Sequence, residues 1–433
     1  MLEALISMTH SSKITVCRVL MIGCGTWLIV ALGVLFATTF VPPKDYHGFS
    51  GFLIRQPLPS LLNGFAAWDG AWFTEIAKDG YRYQPGVGSH VVFFPVYPTL
   101  GAVVSRIFCC DERVALLLIS NGCFLAALYV LRLYVTQGER PGCARAADHS
   151  IWLYCVLPSS FFFRMAYSES LFLLLTVLVV YGMKAKWSDW ALAALVGAAT
   201  GTRAVGVVLV LVFAHYLWTS RQCDEPVEFP SGRGSQTAAP SRGFAALRSV
   251  CLLVVSCWGI LEFTAYLWWA YADALAWFTN QTVYNVRPNS SFGDRIISLL
   301  SFEPIWSVFV PGSAGYWARW PGATPAIFSL AFANPIYFTA TCALLAYGWR
   351  SRVLEPRDVV VGALLLAVPY VTKGHDNVML GFARYSSAAY PSYIVGGCLL
   401  ARLPRPLAAM GLVVSAVMMC LYSALFAAWF VFL

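Results

Sequence analysis

Apolar runs close to the ~20 residues that a helix needs to cross a bilayer, at about 1.5 Å per residue, recur along this chain between short basic connections. A backbone inside lipid must satisfy its own hydrogen bonds, which leaves packed helices or a closed barrel, and runs of this length select helices. Of 433 residues, 59% are apolar and 12% charged, and the mean hydropathy is +0.67. That composition excludes a large soluble core and predicts an all-α polytopic membrane protein. The net charge of +8 would suggest nucleic acid in a soluble chain. Here lysine and arginine cluster between apolar runs, as cytosolic loops require, so the charge is read as topology and no nucleic-acid partner is expected.

Candidate spans lie near 19–41, 91–110, 114–136, 150–165, 169–184, 189–203, 204–220, 249–271, 324–348, 358–373, 384–401 and 406–432. Several are too short to cross alone, which predicts tilted, broken or re-entrant helices around an internal cavity. Lys184 and Lys186, Arg221 to Arg248, Arg350 to Arg357, and Arg402 with Arg405 mark the cytosolic side, leaving 41–90, 272–323 and 374–383 on the other. The first run follows Lys13 and Arg18 and exceeds a signal-peptide core, so it reads as a retained anchor. Two full crossings between 91 and 136 would place Arg140 and Arg145 on the non-cytosolic side. Either that loop breaks the rule or 91–110 is re-entrant.

Residues 221–247, rich in Pro, Ser, Gly and Arg, read as a flexible cytosolic linker between membrane modules 1–220 and 248–433. The chain has thirteen cysteines, but none lies in loops 41–90 or 272–323. No disulfide framework is expected, and no Cys/His spacing suggests a metal. Sequons at Asn280 and Asn289 fall in the 272–323 loop, as a luminal loop permits.

Residues 65–83 form an island of polarity carrying Asp69, Glu75 and Asp79. Carboxylates this close to a membrane span mark a functional site by default. Phe73, Ile76, Ala77 and Tyr81 recur at helical spacing, which predicts a short helix lying on the membrane with Asp69 at its N-terminus. Asp69 fits both a helix cap and a catalytic acid there. Further on, Arg164, Tyr167, Glu169 and Arg203 interrupt apolar runs. Arginines in such places suit phosphate, although an Arg–Glu pair of purely structural use fits as well. Trp317 with Arg319, and Arg384, add stacking and anion-binding candidates, against ordinary anchoring at a membrane boundary. The Phe93–Pro98 aromatics fit either a belt or a sugar or polyprenyl ligand.

Taken in order, these motifs resemble the GPI mannosyltransferase 2 family (PIG-V type) of the GT-C class of membrane glycosyltransferases. The matching elements are WDxxxFxxIAxxGY at Trp68–Tyr81, FFPxxP at Phe93–Pro98, the run from Leu157-Pro158-Ser159-Ser160-Phe161 through Tyr167-Ser168-Glu169-Ser170-Leu171-Phe172, and G-T-R-x-x-G at Gly201–Gly206. The chain departs from the pattern at Leu157 and at Val205, where the family commonly has Asn. The resemblance implies a GT-C-like multi-span bundle with short amphipathic helices in luminal loops, in the endoplasmic reticulum membrane. It implies transfer of mannose from dolichyl phosphate mannose to a GPI precursor, forming the α-1,6 link of the second mannose, and admits a small accessory membrane subunit.

Under that resemblance Asp69 is the catalytic base. Trp68, Tyr167 and Glu169 are expected to contact substrate, as are Trp317 and Arg319, while Arg203, followed by Arg164 and Arg384, is expected to hold the donor phosphate. No metal or other cofactor is expected, since the donor is a monophosphate diester and no DxD pattern is evident. Another GT-C mannosyltransferase remains an alternative, as does a polytopic transporter. A transporter would place its ionisable groups at mid-membrane within paired repeats.

Overall fold

The computed structural model describes residues 2–42, 60–137, 143–223, 242–287, 290–319 and 324–430. Arg140, the 43–59 part of the first loop, 224–241 of the linker, the Asn289 sequon and Trp320-Pro321 lie outside the described residues. The described chain is helical: α1 (Leu2–Phe40), α2 (Leu61–Phe65), α3 (Asp69–Asp79), α4 (Val96–Phe108), α5 (Glu112–Thr136), α6 (Cys143–Val156), α7 (Glu169–Lys184), α8 (Asp189–Thr202), α9 (Val207–Cys223) and α10 (Arg242–Val255). There follow α11 (Trp258–Tyr271), α12 (Ala276–Thr279), α13 (Phe292–Leu300), α14 (Glu303–Trp306), α15 (Leu330–Arg350), α16 (Pro356–Asn377), α17 (Phe382–Ser387), α18 (Tyr390–Arg402) and α19 (Arg405–Ala427). Packing of α1 on α19, α6 on α18 and α8 on α11 makes one core of helices from before and after the linker.

Four helices are long and apolar enough to cross a membrane singly: Thr15–Phe40, Glu112–Thr136, Leu330–Arg350 and Arg405–Ala427. Two further candidate spans are bent, by 94° between Pro158–Arg164 and Glu169–Lys184 and by 58° between Ala246–Val255 and Trp258–Tyr271. The expected helix over 150–165 is thus broken. Pro158 has no N–H to donate and holds Leu157 extended (φ −58°, ψ 136°), so α6 ends and a 3₁₀ turn begins. The expected 384–401 span is likewise split into α17 and α18.

Charge pairing sorts the helix ends. Arg18 and Arg132 meet Asp148, Lys184 meets Glu355, and Arg248 meets Asp189. Lys184 also stands over the Tyr134 ring, whose hydroxyl donates to Asp358, so the end of α5, the starts of α6 and α16, and the end of α7 share one basic end. Arg145 lies in the first turn of α6. The 137–149 connection therefore obeys the positive-inside pattern, and α4 is the exception among the early segments. At thirteen residues it is about 20 Å long, short of a ~30 Å hydrocarbon core. A helix of that length fits the re-entrant alternative and not a full crossing.

The opposite end gathers the loops. Tyr271 donates to the Tyr81 carbonyl, Tyr83 to Asp273 and Tyr284 to the Ser89 carbonyl. α3 is buried there by protein rather than laid on lipid: Phe73, Ile76 and Ala77 are inaccessible, and Phe73 packs edge-on against Phe93 and Tyr97. The Phe93–Pro98 aromatics are core as well, since Phe94 stacks among Phe263 and Trp277, and the Tyr97 hydroxyl meets Ser120.

Asn280 clamps these loops. It is 3% exposed, accepts from the Ser89 N–H at 3.1 Å and donates to the Val87 carbonyl at 2.9 Å. A glycan at that amide would sever the joint. Asn280→Gln should leave endoglycosidase-sensitive mobility unchanged and cost about 1–3 kcal/mol of stability through the lost buried partners, read as a lower melting temperature. Loss of a glycan band in Asn280→Gln would contradict this assignment.

A candidate active site of paired carboxylates and guanidiniums

Asp69 is aimed by a strained turn. Trp68 adopts φ 58°, ψ −121°, a conformation that costs a non-glycine residue about 1–3 kcal/mol and persists only where its surroundings fix it. Those surroundings are explicit. The Trp68 ring lies 5.1 Å from that of Trp429, and its indole N–H donates to the Phe426 carbonyl at 3.2 Å. The Asp69 N–H donates to the Tyr167 hydroxyl at 3.1 Å, which in turn donates to the Ala67 carbonyl at 3.3 Å. Asp69 thus opens α3 without capping it: no side-chain bond closes that helix end.

Its carboxylate is turned instead to Arg384, whose Nη1 lies 2.5 Å from Oδ2. Arg384 comes from α17, beyond a break in which Val378 and Met379 take φ 49° and 61°, unusual for any non-glycine side chain and most of all for a β-branched one. Its Nε stands 3.0 Å from Glu169 Oε1, close but off the hydrogen-bonding angle. Arg203 donates to the same Glu169 oxygen through Nη1. Four residues distant in sequence form one alternating chain, Asp69–Arg384–Glu169–Arg203. Glu169 Oε2 is buried without a hydrogen-bond partner. Rings of Tyr167, Phe162 and Tyr385 surround the Arg384 guanidinium at 5.5–5.9 Å.

The glycines of the G-T-R-x-x-G motif set Arg203 in place. A Cβ on Gly201 would come within 2.9 Å of Gly259 in α11, and one on Gly206 within 2.3 Å of the Ala199 carbonyl. Only glycine lets α8 and α11 touch and the chain turn back after Arg203. The cleft lined by Glu169, Arg203 and Arg384 is walled by Phe172, Val205, Leu365, Pro369 and Tyr385, with Asp69 reached through Arg384. Val205, where the family commonly has Asn, gives that wall an apolar face.

Of the expected site residues, Asp69, Glu169, Arg203 and Arg384 therefore converge. Trp68 and Tyr167 stand next to them as buried supports rather than exposed contacts. Arg164 faces elsewhere: it is 2% exposed, donates to the Gly23 carbonyl at 2.9 Å and lies 4.3 Å over the Phe124 ring, joining the 3₁₀ turn to α1 and α5. Trp317 packs against Tyr316 and Phe332, and Arg319 donates to the Ala314 carbonyl. Neither belongs to the ion-pair chain. Glu75 is engaged by Arg82 and His90, and Asp79 faces Arg82. Tyr284 was not singled out by its sequence setting. Its phenol is pushed up by burial and, secondarily, by the negative charge of Asp69, and its ring meets that of Trp72 in α3 edge-on at 6.4 Å. Among the described residues no group of three His, Cys, Asp or Glu side chains gathers as a metal site.

A polytopic helical membrane protein with an ionic cleft at one end is the class that this geometry defines. Residues 26–221 match the sequence model of the family described as Mannosyltransferase (PIG-V). Over 210 residues the chain is 30% identical to GPI alpha-1,6-mannosyltransferase 2 of Cricetulus griseus, covering 46% of this chain and 40% of that protein. It is 28% identical over 189 residues to the Homo sapiens protein of the same name, covering 41% and 36%. The resemblance drawn from the motifs is matched over that stretch, where the chain is similar to the PIG-V mannosyltransferase family. The matches span two fifths or less of these relatives' lengths. Among solved structures, the oligosaccharyltransferase of Archaeoglobus fulgidus gives a TM-score of 0.41 at 11% identity, over 92% of this chain and 53% of that one. AglB from the same organism gives 0.38 at 12%, over 94% and 55%.

The division between supporting and reacting arginines is testable. Arg164→Leu leaves buried neutral acceptors unpaired and should lower stability by about 1–3 kcal/mol, with turnover kept by the protein that folds. Arg203→Leu should abolish turnover. Retained activity in Arg203→Leu would reverse the assignment.

Proposed function

We propose that this protein transfers mannose from dolichyl phosphate mannose to a GPI precursor, adding the second mannose through an α-1,6 link on the luminal face of the endoplasmic reticulum. One observation carries the reading: Asp69, Glu169 and Arg203 of the PIG-V-like stretch are joined through Arg384, from beyond it, into one chain of ion pairs. Curated relatives bearing the name GPI alpha-1,6-mannosyltransferase 2 supply the substrate and linkage of the proposal.

The reaction is a single displacement. Asp69 accepts the proton of the acceptor 6-hydroxyl as that oxygen attacks the anomeric carbon, and the bond to the donor phosphate breaks on the far face, with inversion. A positioned base contributes roughly 10²–10⁴-fold. The departing group is already an anion, so it requires fixed positive charge rather than a proton, and Arg203 with Arg384 provide it.

The resting ion pairs give the reaction an order. Asp69 cannot act as a base while Arg384 holds it. Arrival of the donor phosphate offers Arg384 a new anion and draws it off, so the base is released only when a leaving group is in place. Glu169, between both arginines, keeps them in the cleft until then.

Asp69→Asn should fail to restore cells lacking the second GPI mannose, which would accumulate the singly mannosylated lipid, while wild type restores them. Restoration by the Asn form would reject Asp69 as the base. Because the donor is a monophosphate diester, transfer should persist in EDTA; abolition by chelator with rescue by Mn²⁺ would contradict the metal-free mechanism.

A further inference from the structure

The residues Leu365 and Pro369 that wall the cleft lie four apart on α16, and Lys373 is next in that row, one turn toward the helix end. Its Nζ donates to Gln281 Oε1 at 2.6 Å. That partner is neutral, and among the described residues no carboxylate lies within 4 Å of the amine. The surrounding charges are already matched. Asp69 and Glu169 balance Arg384 and Arg203, Glu303 is gripped by both Nη atoms of Arg287, and Asp376 pairs with Arg295 at 3.2 Å. Lys373 is the cation left over. Gln281 belongs to the same 3₁₀ turn as Tyr284, whose phenol senses Asp69, so the amine stands on the Asp69 side of the cleft.

A half-buried ammonium without a counter-ion is costly, and one beside a cleft in a membrane protein marks a ligand path. We infer that Lys373 and Gln281 form a rim subsite that takes the phosphate of a lipid substrate, separate from the Arg203–Arg384 pair. The choice of substrates rests on the transferase reading above; the binding itself does not. A compact ammonium with three rotatable donors suits a phosphate oxygen without demanding a fixed fork. The donor's single phosphate is already assigned to Arg203 and Arg384, so the subsite falls to the phosphoinositol of the acceptor.

The test uses the full chain in nanodiscs, titrated separately with dolichyl phosphate and with phosphatidylinositol. In Lys373→Gln, Kd for phosphatidylinositol should rise about tenfold, the loss of one charge-assisted contact, while Lys373→Arg stays within about threefold and dolichyl phosphate binds as before. Gln281→Glu supplies a counter-charge without removing the amine and should weaken phosphatidylinositol too. The acceptor's KM should rise while kcat changes little, and a loss confined to dolichyl phosphate would overturn the assignment. Unchanged Kd for both lipids in folded Lys373→Gln and in Gln281→Glu overturns the subsite. Wild type that binds lipid but transfers no mannose would defeat the transferase reading and leave the binding result to decide the subsite.

Discussion

At the cleft, a single guanidinium links residues from the two halves of this protein. Arg384, from the C-terminal part of the chain, reaches Asp69 in the first loop and Glu169 at the start of α7. Neither carboxylate is worth burying alone, since an unpaired ion in such a setting costs several kcal/mol. Only the planar fork of arginine, with donors on Nε and Nη1, spans two acids from one position. The pairing holds helices that are distant in sequence at a common site, and in the proposed mechanism it blocks the acid that serves as the base. Stability and reactivity thus compete for the same contact, and an incoming anion decides between them.

The backbone on both sides of that contact is held away from relaxed geometry. Trp68, directly before Asp69, and Val378 with Met379, shortly before Arg384, occupy left-handed conformations. Aromatic packing of Trp68 on Trp429 and the hydroxyl of Tyr167 hold the first strained point. Such strain is retained where it directs a functional group, because relaxing it would turn the carboxylate away. The match to the family's sequence model ends at residue 221, so Arg384 and Lys373 reach the cleft from outside the matched stretch.

Much of this was legible in the sequence. Hydropathy gave the helical membrane class, and cationic punctuation gave the common basic end that Arg132, Lys184 and Arg248 now share. Isolated ionisable residues in apolar runs pointed to Glu169 and Arg203, because lipid tolerates such groups only with partners. What stayed hidden depended on tertiary contacts. Arg164 carries the same local signal as Arg203, yet it turns to α1, and nothing in the spacing distinguishes them. The amphipathic pattern of α3 cannot say whether lipid or protein covers its apolar face; Tyr97 and Phe93 do. Trp68 and Tyr167 look like ligand contacts by residue type and act as supports. Tyr284 and Lys373 have no motif around them, and only the fold brings them to the cleft.

The central claim is that donor phosphate and Asp69 compete for Arg384. A structure of the full chain with dolichyl phosphate bound tests it directly. The expected result is a phosphate held between Arg203 and Arg384, with Arg384 withdrawn from Asp69 and the carboxylate open to the cleft. A phosphate bound elsewhere with the Asp69–Arg384 pair intact would contradict it.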